Sequence, residues 1–174
     1  MKACECVIFG KGKEKMNITI LAVGKVKESF YRQAVEEFKK RLSRYCRLQI
    51  VEVQDEKTPD NAGDALERQI KAKEAARLQK YIKDTDYVVT LEIEGQQPDS
   101  VALADKLQRL GVDGTSSIVF AIGGSLGLHE DITKRSNYRL SFSNMTFPHQ
   151  MMRVILLEQI YRSYRIINGE PYHK

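Results

Sequence analysis

Three segments of the chain carry residue types that could do chemistry. The first is Gly123-Gly124-Ser125-Leu126-Gly127. Glycines permit positive φ and close backbone approach, so the run could simply make a tight strand-to-helix turn. It could also be a cradle in which bare backbone N–H groups approach a nucleotide-like ligand, although it lacks the G-x-G-x-x-G spacing of a dinucleotide site. It also fits G-x-S-x-G, and a later Glu158 and His173 would complete the serine-acid-histidine order of α/β-hydrolases. A nucleophile elbow, however, enters its helix directly after the serine, whereas Gly127-Leu128-His129 intervenes here.

The second segment, Ser141-Phe142-Ser143-Asn144-Met145-Thr146-Phe147-Pro148-His149, packs hydroxyls, an amide and a proline in front of a long apolar helix. Ser143 or Thr146 could cap that helix, with Pro148 in its first turn. Capping does not account for the alternating Phe142, Met145 and Phe147, a mix suited to a ligand that is apolar in part and hydrogen-bonding in part. His149 stands at the positive end of the helix dipole, which disfavours its protonation and suits a structural role. His129, beside Glu130 and Asp131, reads as a surface residue near a helix start. The third segment is the tail, Tyr172-His173-Lys174: a stacking surface, a proton-transfer group and a phosphate contact in succession.

Short apolar runs alternate with amphipathic ones and would position these segments. Strands are expected at 17–23, 48–53, 87–93, 117–122 and 138–142, with helices at about 27–45, 64–82, 101–110, 130–135 and 149–168. In the first helix Phe30, Ala34, Phe38 and Leu42 recur every fourth residue, which predicts one buried face. Pro98-Asp99-Ser100 supplies an N-terminal cap for the third helix. Strands alternating with helices imply an α/β fold with a mostly parallel sheet covered on both faces. Ligands of such sheets sit beyond the carboxyl ends of the strands, which here are Leu91 to Gly95, Ile122 to Gly127 and Phe142 to Pro148.

At 174 residues the chain suits one hydrophobic core and a single domain. Its formal charge of +5, from 28 basic and 23 acidic residues, is compatible with a polyanionic partner without demanding one. Three cysteines make no disulfide framework, and Cys4 with Cys6 lacks the second pair of a zinc site; neither do the histidine spacings suggest a metal. No stretch approaches the roughly 18–20 apolar residues of a membrane span, and residues 1–16 lack the apolar core of a signal peptide. A cytoplasmic protein is expected. Met16 reads as a start followed at once by a strand, which leaves residues 1–15 as an extension, or as a short extra strand through Val7-Ile8-Phe9, with no function assigned.

Phe120-Ala121-Ile122-Gly123-Gly124-Ser125-Leu126-Gly127, Leu140 through Arg153 and the terminal Tyr-His-Lys together resemble the ribosomal RNA large-subunit methyltransferase H family. These are the pseudouridine-N3 methyltransferases of the SPOUT superfamily, and the match runs from Met16 to Lys174. The resemblance implies a mostly parallel sheet flanked by helices, a C-terminal trefoil knot and a homodimer. It implies S-adenosylmethionine held by Leu91, Gly123, Phe142, Ser143, Asn144, Met145, Thr146 and Phe147, and no metal. The implied substrate is a pseudouridine of large-subunit ribosomal RNA in the assembled ribosome. His173 or Tyr172 is then the candidate for removing the N3 proton, Arg153 or Lys174 for stabilising the base anion and binding phosphate. Lys174 stands where some members carry arginine; a phosphate contact survives that change, bidentate geometry does not. Ser125 then falls in the cofactor loop. The competing functions are the serine hydrolase and a ribosome-binding factor without catalysis.

Overall fold

A computed structural model describes residues 15–172 of the chain. The extra strand through Val7-Ile8-Phe9, Cys4 and Cys6, and the tail residues His173 and Lys174 lie outside the described residues. Ten elements alternate: β1 (Asn17–Val23), α1 (Ser29–Leu42), β2 (Arg47–Val53), α2 (Asp64–Gln79), β3 (Tyr87–Gln96), α3 (Ser100–Val112), β4 (Ser117–Ile122), α4 (Glu130–Arg135), β5 (Tyr138–Leu140) and α5 (His149–Ile167). The strands form one sheet in the order β2-β1-β4-β3-β5, every pairing parallel. This is the expected α/β architecture.

Period-two alternation in the central strands explains the two layers. Ile18, Ile20 and Ala22 of β1, with Ile118, Phe120 and Ile122 of β4, face α1, α3 and α5. Leu21 and Val23, with Val119 and Ala121, face α2 and α4 on the opposite side. Both strands are buried on both faces, as their nearly unbroken apolar runs require. On the first side α5 packs against both α1 and α3, burying Leu156, Leu157, Ile160, Tyr164 and Ile167. At roughly 1.5–3 kcal/mol for each large apolar side chain buried, this helix is a main contributor to the core.

Several boundaries differ from expectation for identifiable reasons. The four-residue stripe of α1 does not stay buried: Val35 and Leu42 are inside, but Phe30 is 58% exposed and rests on Tyr31. A 3.6-residue period rotates an i+4 series off the contact face over three turns. Asp99 caps α3 as expected, its carboxylate accepting from the Ala102 N–H at 2.7 Å. β5 stops at Leu140, short of the expected Phe142, because the Ser141 N–H donates instead to the Gln96 carbonyl at 2.8 Å.

β3 runs on to Gln96 with an irregularity, and Leu140 is in register with both Leu91 and Gln96. Residues 92–95 therefore bend around the end of β5. Gly95 makes this approach feasible: a Cβ there would lie 2.8 Å from the Leu140 carbonyl carbon and 2.9 Å from that of Arg139. Both obstacles are backbone and cannot swing aside. Gly95→Ala is expected to cost about 1–3 kcal/mol, the range for overpacking, read from denaturant unfolding; an unchanged midpoint would show that the bend relaxes freely.

Candidate functional site

The exits of β3 and β4, the loop after β5 and the first turn of α5 enclose a mainly apolar cleft of about 700 Å³ including its open mouth. Leu91 and Ile93 come from β3, Ile122 from β4 and Gly123 from the turn after it, Phe142, Ser143, Met145, Thr146 and Phe147 from the loop, and His149 and Met152 from α5. Of the residues expected to hold a cofactor, Leu91, Gly123, Phe142, Ser143, Met145, Thr146 and Phe147 line this cleft together. Asn144 does not; its side-chain oxygen accepts from Gln97 Nε2 at 2.7 Å, tying the loop to the end of β3.

Glycine shapes the floor by letting backbones touch. A Cβ on Gly123 would stand 2.5 Å from the Gly127 carbonyl carbon and 2.8 Å from the Leu128 nitrogen. Gly127, at φ +79°, donates its N–H to the Gly124 carbonyl at 3.0 Å and closes the turn. Ser125 is thus carried on a tight turn that leads to an extended segment, and no helix follows it as an elbow would require. Its hydroxyl meets that of Thr58 at 3.3 Å, and no histidine or carboxylate among the described residues bonds to it. Glu158, the acid of the hydrolase reading, accepts instead from Arg162, Gln159 and Tyr172. The hydrolase constellation is not assembled among the described residues.

The loop before α5 is ordered by its own short-range bonds. Ser143 Oγ accepts from the Met145 N–H at 3.0 Å, and Ser141 Oγ donates to the Ser143 carbonyl at 3.2 Å. Neither Ser143 nor Thr146 caps α5: the residue before the helix is Pro148, and no side chain caps it. The helix start is held differently. Gln150 Oε1 accepts from the backbone N–H groups of Lys27 and Glu28 at 2.6 and 3.1 Å, fixing α5 to the β1–α1 connection.

Arg153 completes that attachment. It is 1% exposed and donates to Glu52 Oε1 at 2.6 Å and to the carbonyls of Val23 and Gly24, each at 2.8 Å. Both terminal nitrogens are therefore engaged within the chain, leaving only a buried Nε without a partner. Burial pulls its pKa down, with Glu52 opposing. In this structure Arg153 fixes the start of α5 to β1 and β2. Sequence gave no signal for Glu52 as its partner, since the pair is separated by 101 residues.

His149 is half-buried at the cleft edge. Its pKa lies below the ordinary 6.5 because of burial first and Arg153 next, with Asp55 pulling the other way. Desolvation thus favours the neutral ring, in the same direction as the helix dipole. His129 is less exposed than expected and caps α4, its Nδ1 accepting from the Asp131 N–H at 3.3 Å. Tyr172 stacks edge-on against Tyr161, lies under the Arg162 guanidinium and donates to Glu158 at 3.3 Å. Burial and Glu158 push its phenol upward. From Tyr161 to His149 is about 18 Å along the helix, so Tyr172 is remote from the cleft of its own chain. No group of metal-binding side chains exists among the described residues, and no described helix is long and apolar enough to cross a membrane.

The site is thus a cleft at the exits of β3 and β4 of a parallel sheet, walled by a glycine turn and a polar-apolar loop. A family model described as "Predicted SPOUT methyltransferase" matches residues 16–173, and the chain belongs to that family, among the relatives called ribosomal RNA large subunit methyltransferase H. The relative of that name from Bifidobacterium adolescentis is 62% identical over 159 residues, covering 91% of this chain and all (100%) of the relative. Those from Clostridium kluyveri and Clostridium tetani are 58% and 57% identical with the same coverage, 91% and 100%. Among solved structures, "a probable methylase family protein from Haemophilus influenzae Rd KW20" shares the fold at TM-score 0.55 and 14% identity, over 91% of this chain and 71% of that one.

Two outcomes follow from the groups around α5. Unfolded His149 takes up a proton near 6.5 while the folded residue does so only at lower pH, so its contribution is complete above that value and lost as pH falls. Thermal denaturation between about pH 7.5 and about pH 5.5 should show a smaller loss of stability in His149→Gln than in the wild type; equal losses would remove this role. Arg153→Met leaves Glu52 and two carbonyls without their donor. It should cost about 2–4 kcal/mol in urea unfolding, below the full cost of breaking a buried pair because Glu52 is 29% exposed; a neutral result would mean that α5 is held by packing alone.

Proposed function

We propose that the cleft binds S-adenosylmethionine and that the protein methylates N3 of a pseudouridine in large-subunit ribosomal RNA on the assembled ribosome, acting in the cytoplasm as a homodimer. Residues 16–174 form the methyltransferase unit in this reading, and residues 1–15 are an N-terminal extension to which no function is assigned. The observation that carries the proposal is the convergence of Leu91, Gly123, Phe142, Ser143, Met145, Thr146 and Phe147, three sequence segments, on one cleft. The name shared by the relatives supports the ribosomal RNA substrate.

The lining fits the cofactor. Apolar walls from Leu91, Ile122, Phe142 and Phe147 suit the adenine and the methionine chain, and the hydroxyl and backbone groups of the loop suit their polar edges. Gly123 keeps the floor free of a side chain. Bound there, S-adenosylmethionine would supply an electrophilic methyl group. The chain's own task is to hold the acceptor nitrogen in line and to take its proton. Tyr172, with its phenol pushed upward, keeps its proton at neutral pH and acts as a donor or stacking surface. His173 is the better base, and Lys174 the phosphate contact. Because Tyr172 is remote from its own cleft, the tail serves the cleft of a second subunit. The bend of residues 92–95 around Leu140 supports a trefoil knot in this part of the chain.

Transfer of labelled methyl from S-adenosylmethionine to ribosomes lacking the modification tests the proposal, with free RNA in parallel. Label is expected in large-subunit RNA of assembled ribosomes. Tyr172→Phe and His173→Ala should lower turnover by about 10²-fold or more for the base, with cofactor affinity intact. Absence of label at saturating cofactor would favour a ribosome-binding factor without catalysis.

A further inference from the structure

Beside the cleft lies a second, polar pocket of about 580 Å³ including its mouth, lined among others by Lys25, Lys27, Asp55, Glu74, His149 and Arg153. It opens between the exits of β1 and β4, which are neighbours in the sheet. From β1 the chain continues towards β2 on one side, and from β4 towards β5 on the other. That reversal is the topological switch point, where sheets of this kind hold ligands. The apolar cleft is displaced from it towards β3, so the switch-point crevice itself remains to be filled.

Two polar groups in its walls, one buried and one half-buried, make no hydrogen bond at a nitrogen that could form one. Arg153, 1% exposed, has an unpartnered Nε. The half-buried ring of His149 makes no hydrogen bond within the described chain, although Asp55 and Arg153 are close enough to act on its charge. Arg153 Nε is enclosed, but the half-buried His149 ring stands at the pocket wall, where a partner from outside can satisfy it. His149 also lines both pockets, as do Gly124 and Ser125. The partition between them is thin: Gly124 has no side chain, and a Cβ there would press on the Glu74 carboxylate at 3.0 Å.

We propose that the polar pocket seats the methyl-accepting base, a uracil-type ring turned out of its strand, with the His149 ring hydrogen-bonded to its edge at the wall shared with the cofactor cleft. This rests on the methyl-transfer reading above. A uracil-type ring presents N–H donors between carbonyl acceptors, so it needs both kinds of partner. The exposed Asp55 carboxylate accepts an N–H, and Lys25 and Lys27 at the rim take the flanking phosphates. An uncharged His149 adds no positive charge beside a sulfonium. In the transfer, the ring nitrogen gives its proton to the tail histidine, and its electron pair forms the new nitrogen–carbon bond. The pair of the broken sulfur–carbon bond returns to sulfur.

The test uses the full-length dimer, with steady-state methylation of modification-free ribosomes and calorimetric binding of S-adenosylmethionine. His149→Ala should reduce kcat/KM for ribosomes about 10-fold, the value of one hydrogen bond of 1.4 kcal/mol, with cofactor affinity unchanged. His149→Asn should recover part of the loss, since an amide can replace the ring nitrogen. Asp55→Asn, on an exposed side chain, should reduce kcat/KM in the same direction. Loss of cofactor affinity in His149→Ala with full turnover once loaded would overturn the proposal and assign the residue to the cofactor cleft. Unchanged kcat/KM in both His149→Ala and Asp55→Asn would also overturn it. A wild-type protein that transfers no methyl would instead sink the underlying methyl-transfer reading.

Discussion

Arg153 holds the first turns of α5 against the exit of β1 through Glu52 and the carbonyls of Val23 and Gly24, and much of the site depends on that attachment. The helix start is not capped by any side chain, so its placement comes from tertiary bonds. Gln150 reaches the backbone of Lys27 and Glu28, and Arg153 reaches β1 and β2. The loop from Ser141 to Pro148 is strung between β5 and this fixed point. If the helix start moved, Phe142, Met145 and Phe147 would move with it. A buried arginine costs desolvation, and its return here is geometric definition more than net stability.

A second constraint is the closeness of backbone to backbone. Gly123 against Gly127 and Leu128, and Gly95 against Arg139 and Leu140, are contacts at which any Cβ would collide with main-chain atoms. The first contact sets the floor of the cleft, and the second folds the end of β3 around the end of β5. They also explain how a sheet of only five strands can support a cleft made of three separate segments: each strand exit is folded back sharply enough to meet its neighbour. The apolar lining follows from the segments that these glycines bring together.

Most of the fold was legible because β1 and β4 alternate apolar residues between two buried faces, and because Asp99 and the Gly123-Gly124 pair punctuate their elements clearly. β4 and α4 lie at the expected residues. Phe30 misled because an i+4 repeat imitates an amphipathic face without following the true helical period. Ser143 and Thr146 misled because hydroxyls before a helix fit a cap and a loop bond equally well; the choice fell to Pro148, whose extended ψ of 135° ends the loop directly at the helix. The cleft residues were found because they are grouped in sequence at strand exits. The Arg153–Glu52 pair and the polar pocket were not, since their members come from loops scattered along the chain and only the strand order brings them together.

Strand order also separates two tasks. The apolar cleft lies over β3 and β4, while the polar pocket lies over β1 and β4, and β4 ends in the glycines that divide them. An apolar, largely uncharged wall suits a ligand gripped mainly by shape, whereas a wall with carboxylates, lysines and a neutral imidazole suits one recognised by its hydrogen-bonding edge. A group passing between two such ligands must cross the shortest barrier available, which is a glycine backbone with His149 beside it. Tyr172 lies too far along α5 to reach this junction, so under the proposed function the proton-accepting tail comes from a neighbouring subunit. Under the proposed function, the need for a second copy thus follows from the length of α5 and the position of the cleft at its first turn.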